Sequence, residues 1–245
     1  MRSGTEGLSP GSESSSLFSR LAPARARLAA NDERLLSTQI ALSEIPAPTG
    51  AEEARGASVA ERFRALGLRN VRVDDVGNVL GTRDGNTDAV PVVVCAHLDT
   101  IFPEGTPVSV SRDGPQLCGP GIVDNSRGLA AMLALAEAID GRRVRTRRPI
   151  LFAATVGEEG AGDLRGVKHL FSRLSEPPSA CLALDGAGDD RIVIRALGAR
   201  RFRVIFHGAG GHSWAAFGVP NPVHAAGATA AKLASLPLPR TPRTT

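Results

Sequence analysis

Six side chains in the middle of the 245-residue chain have the types and spacing to carry out a hydrolysis together: His97, Asp99, Asp124, Glu158, Glu159 and Asp185. Imidazole and carboxylates in one place suit zinc or a similar divalent ion, and one carboxylate can bridge two such ions about 3.5 to 4 Å apart. The chemistry of such a cluster is attack of water on an amide or ester carbonyl. Asp99 follows His97 by two residues, so on an extended backbone both side chains point the same way, and Asp99 can hold a metal-ligating imidazole in one tautomer. Glu158 and Glu159 are neighbours, which point in opposite directions on an extended segment. One is then free to ligate a metal while the other, in a bent turn, meets the water. Singly, each residue has a bland reading, either a hydrogen-bonded histidine beside a strand or a solvated pair of glutamates. The joint pattern is what carries weight.

These side chains need a frame that brings them to one edge. The apolar run Val92 to Ala96, within a strand spanning Val90 to Ala96, reads as a central strand of a parallel sheet. His97 and Asp99 then emerge at its carboxyl end, where open α/β sheets bind ligands. A strand from Ile150 to Val156 leads into the turn with Glu158 and Glu159, and a further buried strand from Ala180 to Leu184 ends in Asp185. Asp124 lies in the glycine-containing turn Gly119 to Asn125, ahead of an apolar helix from Gly128 to Ile139. Other helices are expected over Leu17 to Leu42, stopped by Pro46 and Pro48, over Ala51 to Leu66, and over Leu164 to Leu174. Val71 to Asp74 and Asn78 to Thr82 read as paired strands turning at Gly77. Alternating helices and strands make the fold class α/β, a mostly parallel sheet flanked by helices.

After Asp185 the pattern changes. Arg191 to Ala196 and Arg200 to His207 alternate apolar and polar residues as half-exposed antiparallel strands do, and a helix is expected from Asn221 to Leu236. The expected organisation is a disordered tail over 1–16, a metal-binding catalytic domain over 17–190, and the start of a smaller α+β domain over 191–245. Two strands and one helix make a poor domain, so this last part is expected to be incomplete.

Composition narrows the function classes. A hydrophobic share of 42% supports a substantial core. The net charge of +4 comes mostly from arginine, and the cluster from Arg142 to Arg148 lacks interleaved aromatics, so a solvated loop is expected there rather than a nucleic-acid contact. Cys95, Cys118 and Cys181 have no paired spacing and read as reduced thiols, with no nucleophile pattern around Cys118. With no signal-peptide pattern and no run approaching the ~18 apolar residues of a membrane helix, a cytoplasmic protein with no membrane partner is expected. Gly119-Pro120-Gly121 lacks both the spacing and the lysine of a phosphate-binding loop.

Four ordered motifs, Ala96-His97-Leu98-Asp99-Thr100, Gly119-Pro120-Gly121-Ile122-Val123-Asp124-Asn125 leading to Gly128, Gly157-Glu158-Glu159-Gly160 and Ala183-Leu184-Asp185-Gly186, resemble a known family. It is the co-catalytic zinc peptidases and deacylases, which include peptidase T (tripeptide aminopeptidase), acetylornithine deacetylase, succinyl-diaminopimelate desuccinylase and glutamate carboxypeptidase. The match runs roughly from Leu35 to Leu236. The resemblance implies a zinc-exopeptidase-like fold in which His97 and Asp185 hold one Zn2+, Asp124 bridges two, Glu159 binds the other, Asp99 orients His97, and Glu158 is the general base. Co2+ or Mn2+ would also suit these ligands.

Gly208-Ala209-Gly210-Gly211-His212-Ser213 is similar to the motif of the family's lid, a domain that also mediates dimerisation. The resemblance gives His212 an oxyanion-stabilising role across a homodimer. His169, His207 and His224 have no such support and read as structural. The family's last metal ligand is a histidine downstream of the lid, so the chain is expected to be C-terminally incomplete and inactive alone. The implied substrate is a small peptide or N-acyl amino acid, and Gly210-Gly211-His212-Ser213-Trp214 with the Phe217 to Pro222 segment resembles the tripeptidase-type relatives. The competing reading is a truncated, non-catalytic paralogue acting as a binding or interaction protein.

Overall fold

The computed structural model describes residues 10–139, 144–186, 191–198 and 200–239. The chain divides into two compact units, residues 1–189 and 190–245.

The first unit begins with three helices, α1 (Pro10–Ala29), α2 (Asp32–Ser43) and α3 (Glu53–Ala65). It continues with strands β1 (Arg69–Val73), β2 (Val79–Arg83) and β3 (Val92–His97), then a hairpin of β4 (Ser111–Asp113) and β5 (Gln116–Cys118). Helix α4 (Ser126–Ala138), strand β6 (Ile150–Thr155), helix α5 (Arg165–Arg173) and strand β7 (Ala180–Ala183) complete it. The sheet order is β1-β2-β6-β3-β7. β3 pairs in parallel with both β6 and β7, whereas β2 runs antiparallel to β1 and β6. Four of the five strands therefore share a direction, and the α/β class with a mostly parallel sheet is what the chain adopts.

Both faces of the two central strands are covered, which is why they are apolar without a break. Val94, Ala96, Phe152 and Ala154 pack in one cluster with Val59 and Phe63 of α3 and Leu129, Met132 and Leu133 of α4. The Phe63 and Phe152 rings lie 6.4 Å apart. Val93, Cys95, Leu151 and Ala153 face the opposite way and pack with Leu170 of α5. The period-2 alternation of side chains in β3 and β6 separates the two clusters.

The structure corrects several sequence expectations. The single helix expected over Leu17 to Leu42 is two, because the chain turns at Ala30 and Asn31; Asn31 takes the N-cap position of α2, where its short polar side chain is better suited than in a helix interior. Residues 10–16, expected in the tail, belong to α1, and residues 1–9 lie outside the described residues. β7 is exposed at all four residues and lies at the edge of the sheet; an apolar run does not distinguish an edge strand from a central one. The exposed β4–β5 hairpin has no counterpart in the sequence reading.

In the second unit, α6 (Pro222–Ala234) forms where a helix was expected, capped by the Asn221 side chain accepting from Val223 N at 2.9 Å. The two expected strands do not form among the described residues of 191–207. Alternating apolar residues become a strand only when a ladder satisfies the backbone, and neither segment has one here. The arginine cluster falls partly outside the described residues. Its described end is a loop held by Asn86 N donating to Thr146 O and Thr87 N to Arg147 O.

Candidate metal centre

Parallel pairing sets the site. His97 is the last residue of β3 and lies in register with Thr155, the last of β6, while Cys95 is level with Ala183 of β7. His97, the Glu158-Glu159 turn and Asp185 therefore leave the sheet at one edge. Asp124 reaches the same place from the turn before α4, and Asn125 ties that turn down. Its Nδ2 donates to Leu184 O at 2.9 Å and its Oδ1 accepts from Gly128 N at 3.1 Å. Gly128 is required for this approach, because a Cβ there would come within 2.2 Å of Leu184 O. From α2, Gln39 Nε2 donates to Ile122 O and Ser43 Oγ to Pro120 O.

His97 is 3% exposed and has its two nitrogens in different surroundings. Nδ1 is 3.0 Å from the main-chain oxygen of Asp99 and 3.5 Å from its carboxylate, so this nitrogen carries a proton and the main-chain contact is the shorter. Nε2 faces Asp124 Oδ1 at 2.9 Å and Asp185 Oδ1 at 3.6 Å. Ligand atoms of His97, Asp124 and Glu159 all lie within 4.8 Å of one another. One imidazole nitrogen with three carboxylates converging on it is a donor set that fits a divalent cation such as zinc.

Without a cation the carboxylates act on the imidazole. Burial disfavours its charge, but Asp185 and Asp99 outweigh burial and push its pKa up to about 10. Asp99 is fully buried; burial would raise its carboxyl, yet the imidazole, the amides of Glu158 and Glu159 and the Thr49 hydroxyl together hold it well below the usual range. Burial raises the carboxyls of Glu158 and Glu159, which are half-buried beside other acids. A Glu158 carboxyl shifted toward neutrality is suited to passing a proton in either direction.

The other histidines have surroundings of their own. In the second unit His212 is exposed, and its Nδ1 accepts from Trp214 N at 3.3 Å. His169 lies in α5 with Nε2 4.0 Å from Asp74, His224 lies in α6, and His207 is in irregular chain.

Several residues that support the site escaped the sequence reading. Arg55, 1% exposed, donates to the carbonyls of Leu98 and Ile45 and so holds the backbone beside Asp99. Burial lowers its guanidinium pKa to about 10, against the pull of Asp99. Asn78 accepts from Val156 N at 3.0 Å and donates to Gly166 O at 2.9 Å at the end of β6. Thr49 donates to Asp99 Oδ2 at 2.9 Å, and Glu52 accepts from Gly157 N at 3.0 Å. Their segment, with Pro46 and Pro48, reads as a helix stop; a polar residue just before a helix gives no sign of long-range contacts.

Residues 78–204, just over half of the chain, match the sequence profile described as Peptidase family M28. The chain is similar to succinyl-diaminopimelate desuccinylase of Corynebacterium glutamicum, 29% identical over 173 residues that cover 70% of this chain and 46% of that protein. Among solved structures it is similar to a tripeptidase from Staphylococcus aureus, with a TM-score of 0.55 and 29% identity over 65% of this chain and 44% of that one. It is also similar to aminopeptidase PepT from Bacillus cereus, with a TM-score of 0.54 and 27% identity over 64% of this chain and 44% of that one. The chain spans less than half the length of these relatives.

Proposed function

The chain belongs to peptidase family M28, and from that premise we propose that it carries the metal-binding part of an enzyme that hydrolyses peptide or N-acyl amide bonds. The observation that carries this reading is the convergence of Asp124 and Asp185 on the Nε2 of a buried His97 whose Nδ1 is turned back to Asp99. His97, Asp124, Glu159 and Asp185 would hold the metal, Asp124 serving both ions of a pair. Zinc would be the resident ion, and cobalt or manganese would suit the same donors. When bound, the metal supplies Lewis-acid polarisation of the scissile carbonyl and a lowered pKa for the attacking water.

The remaining work falls to the chain's own groups. The Glu158 carboxylate takes the proton of the attacking water and returns it to the leaving amine, and its raised pKa serves both transfers. Asp99 keeps the His97 proton on Nδ1, which leaves Nε2 free as a donor atom. Residues 17–190 act as the catalytic domain and 191–245 as part of a lid through which two copies pair. The partner subunit's His212 then donates to the oxyanion of the tetrahedral intermediate; the support for this step is the Gly210-Gly211-His212-Ser213 motif.

A small peptide is the favoured substrate, because a tripeptidase and an aminopeptidase are among the solved structures that the chain is similar to. An N-acyl amino acid is the second reading, favoured by the desuccinylase. A cytoplasmic location belongs to the same proposal and is supported by three free cysteines. Among the described residues no helix is long and apolar enough to cross a membrane.

The test is release of free amine from di- and tripeptides and from N-succinyl amino acids by protein loaded with Zn2+ or Co2+, against the same protein stripped with a chelator. Metal-dependent cleavage of peptides supports the first reading and cleavage of the N-succinyl compounds the second. Metal binding without turnover of either would favour a non-catalytic binding protein.

A further inference from the structure

The turn that presents Glu158 and Glu159 is held by three consecutive amides and two buried carboxylates. Glu158 N and Glu159 N donate to the two oxygens of Asp99 at 2.9 and 3.0 Å, and Gly157 N donates to Glu52 Oε1 at 3.0 Å. Asp99 also answers to His97, but Glu52 belongs to no ligand set. It precedes α3, lies 105 residues from Gly157 in sequence, and is 3% exposed.

A carboxylate taken out of water needs its charge matched. Arg165 does this, with Nη2 at 2.8 Å from each Glu52 oxygen. The guanidinium lies so close over the turn that a Cβ on Gly157 would come within 2.2 Å of Arg165 Nη1, and Gly157 takes a φ of +62°, which glycine adopts freely. Three residues before Glu52, Thr49 donates to the other buried carboxylate, Asp99. The short segment from Thr49 to Glu52 thus braces both acids that hold the turn.

We propose that Glu52, fixed by Arg165, is a positioning residue: it fixes the Gly157 end of the turn and thereby the aim of the Glu158 carboxylate, while the Glu159 end stays held by Asp99. The inference rests on the assignment of Glu158 as the base. Removing Glu52 frees one of the three amides and leaves two on Asp99, so the turn stays in place but loses its fixed orientation. The cost falls on the reaction step, on the order of tenfold to a hundredfold as for other supports of metal-site residues.

The experiment compares Glu52→Ala and Glu52→Gln with the unchanged full chain loaded with Co2+. It reads kcat and KM for peptide cleavage, Co2+ affinity and absorption spectrum, and backbone hydrogen exchange at residues 157 to 159. The expected result for Glu52→Ala is kcat down roughly tenfold to a hundredfold, with KM, Co2+ affinity and spectrum unchanged and faster exchange at these amides. Glu52→Gln keeps an oxygen for Gly157 N and should recover most of both losses. Unchanged kcat and exchange in a folded Glu52→Ala would overturn the proposal, as would a parallel loss of Co2+ affinity. If Glu52→Ala does not fold, a folded Glu52→Gln with Arg165→Met supplies the reading: unaltered exchange at Gly157 in that double variant would overturn it. If the unmutated chain cleaves no peptide, exchange at residues 157 to 159 decides the role of Glu52 by itself.

Discussion

The two units of the chain contain similar kinds of residues but use them differently. In the first, Val93, Phe152, Leu129 and Phe63 are fully buried between a sheet and helices on both faces. In the second, α6 buries no residue, and Ile192, Trp214 and Phe217 are 87 to 94% exposed. Apolar pattern is therefore not sufficient for structure. In the first unit each strand finds a ladder and each helix a face to cover, and the entropy of ordering the chain is offset by burial. In the second the same alternation finds no pairing partner among the described residues and stays irregular. The difference also separates the candidate chemistry: the converging acids and His97 are on the packed unit, and His212 is on the open one.

The sharpest break is at the reaction itself. Glu158→Ala should lower turnover by roughly 10²- to 10⁴-fold with metal content intact, whereas Asp124→Ala should lose both. Equal metal loss in the two variants, measured by elemental analysis after dialysis, would refute the division into base and ligand. The packing contrast can be tested next. Phe152→Ala should cost about 3 to 5 kcal/mol of unfolding free energy, while Val223→Ser in α6 should change it by no more than about 0.5 kcal/mol. Similar shifts in denaturant melts would mean that the second unit is as well packed as the first.

His212→Ala should slow turnover by roughly 10²- to 10³-fold without changing metal content. Mixing it with Glu158→Ala should restore some activity, since each copy supplies what the other lacks. A mixture as inactive as its components would rule out action across a dimer.

The last effect is one of pH. In the metal-free chain the His97 imidazolium, its pKa raised from about 6.5 to about 10, adds stability that is full below pH 6.5 and is lost as pH rises toward 10. The Asp99 carboxyl is shifted the opposite way, so its contribution holds above its ordinary value of about 3.8 and is lost as pH falls below it. The thermal midpoint of metal-free protein should therefore be highest between about pH 4 and 6.5. Metal reverses the trend at the upper end, because ligation needs neutral imidazole and releases its proton. A midpoint independent of pH from 6.5 to 10 in both forms would contradict this electrostatic account.

Much of the first unit was legible because its strands are short apolar runs ending at polar residues. Val92 to Ala96 and Ile150 to Val156 mark their own positions, and His97, the two glutamates and Asp185 follow such runs. The break at Asn31, the exposure of β7 and the missing strands near Arg191 and Arg200 were not legible, since each depends on what packs or pairs against the segment.

By itself the sequence determined which residues could do chemistry and that they would leave one edge of a sheet, because periodicity and chain order are local properties. Only the tertiary structure decided that Asp124 would meet His97, that Asp99 would touch it first through a main-chain oxygen, and that Thr49, Glu52 and Arg55 would brace the loops around them. Those contacts join residues far apart in the chain, and a hydrogen bond between distant segments is set by how the elements pack.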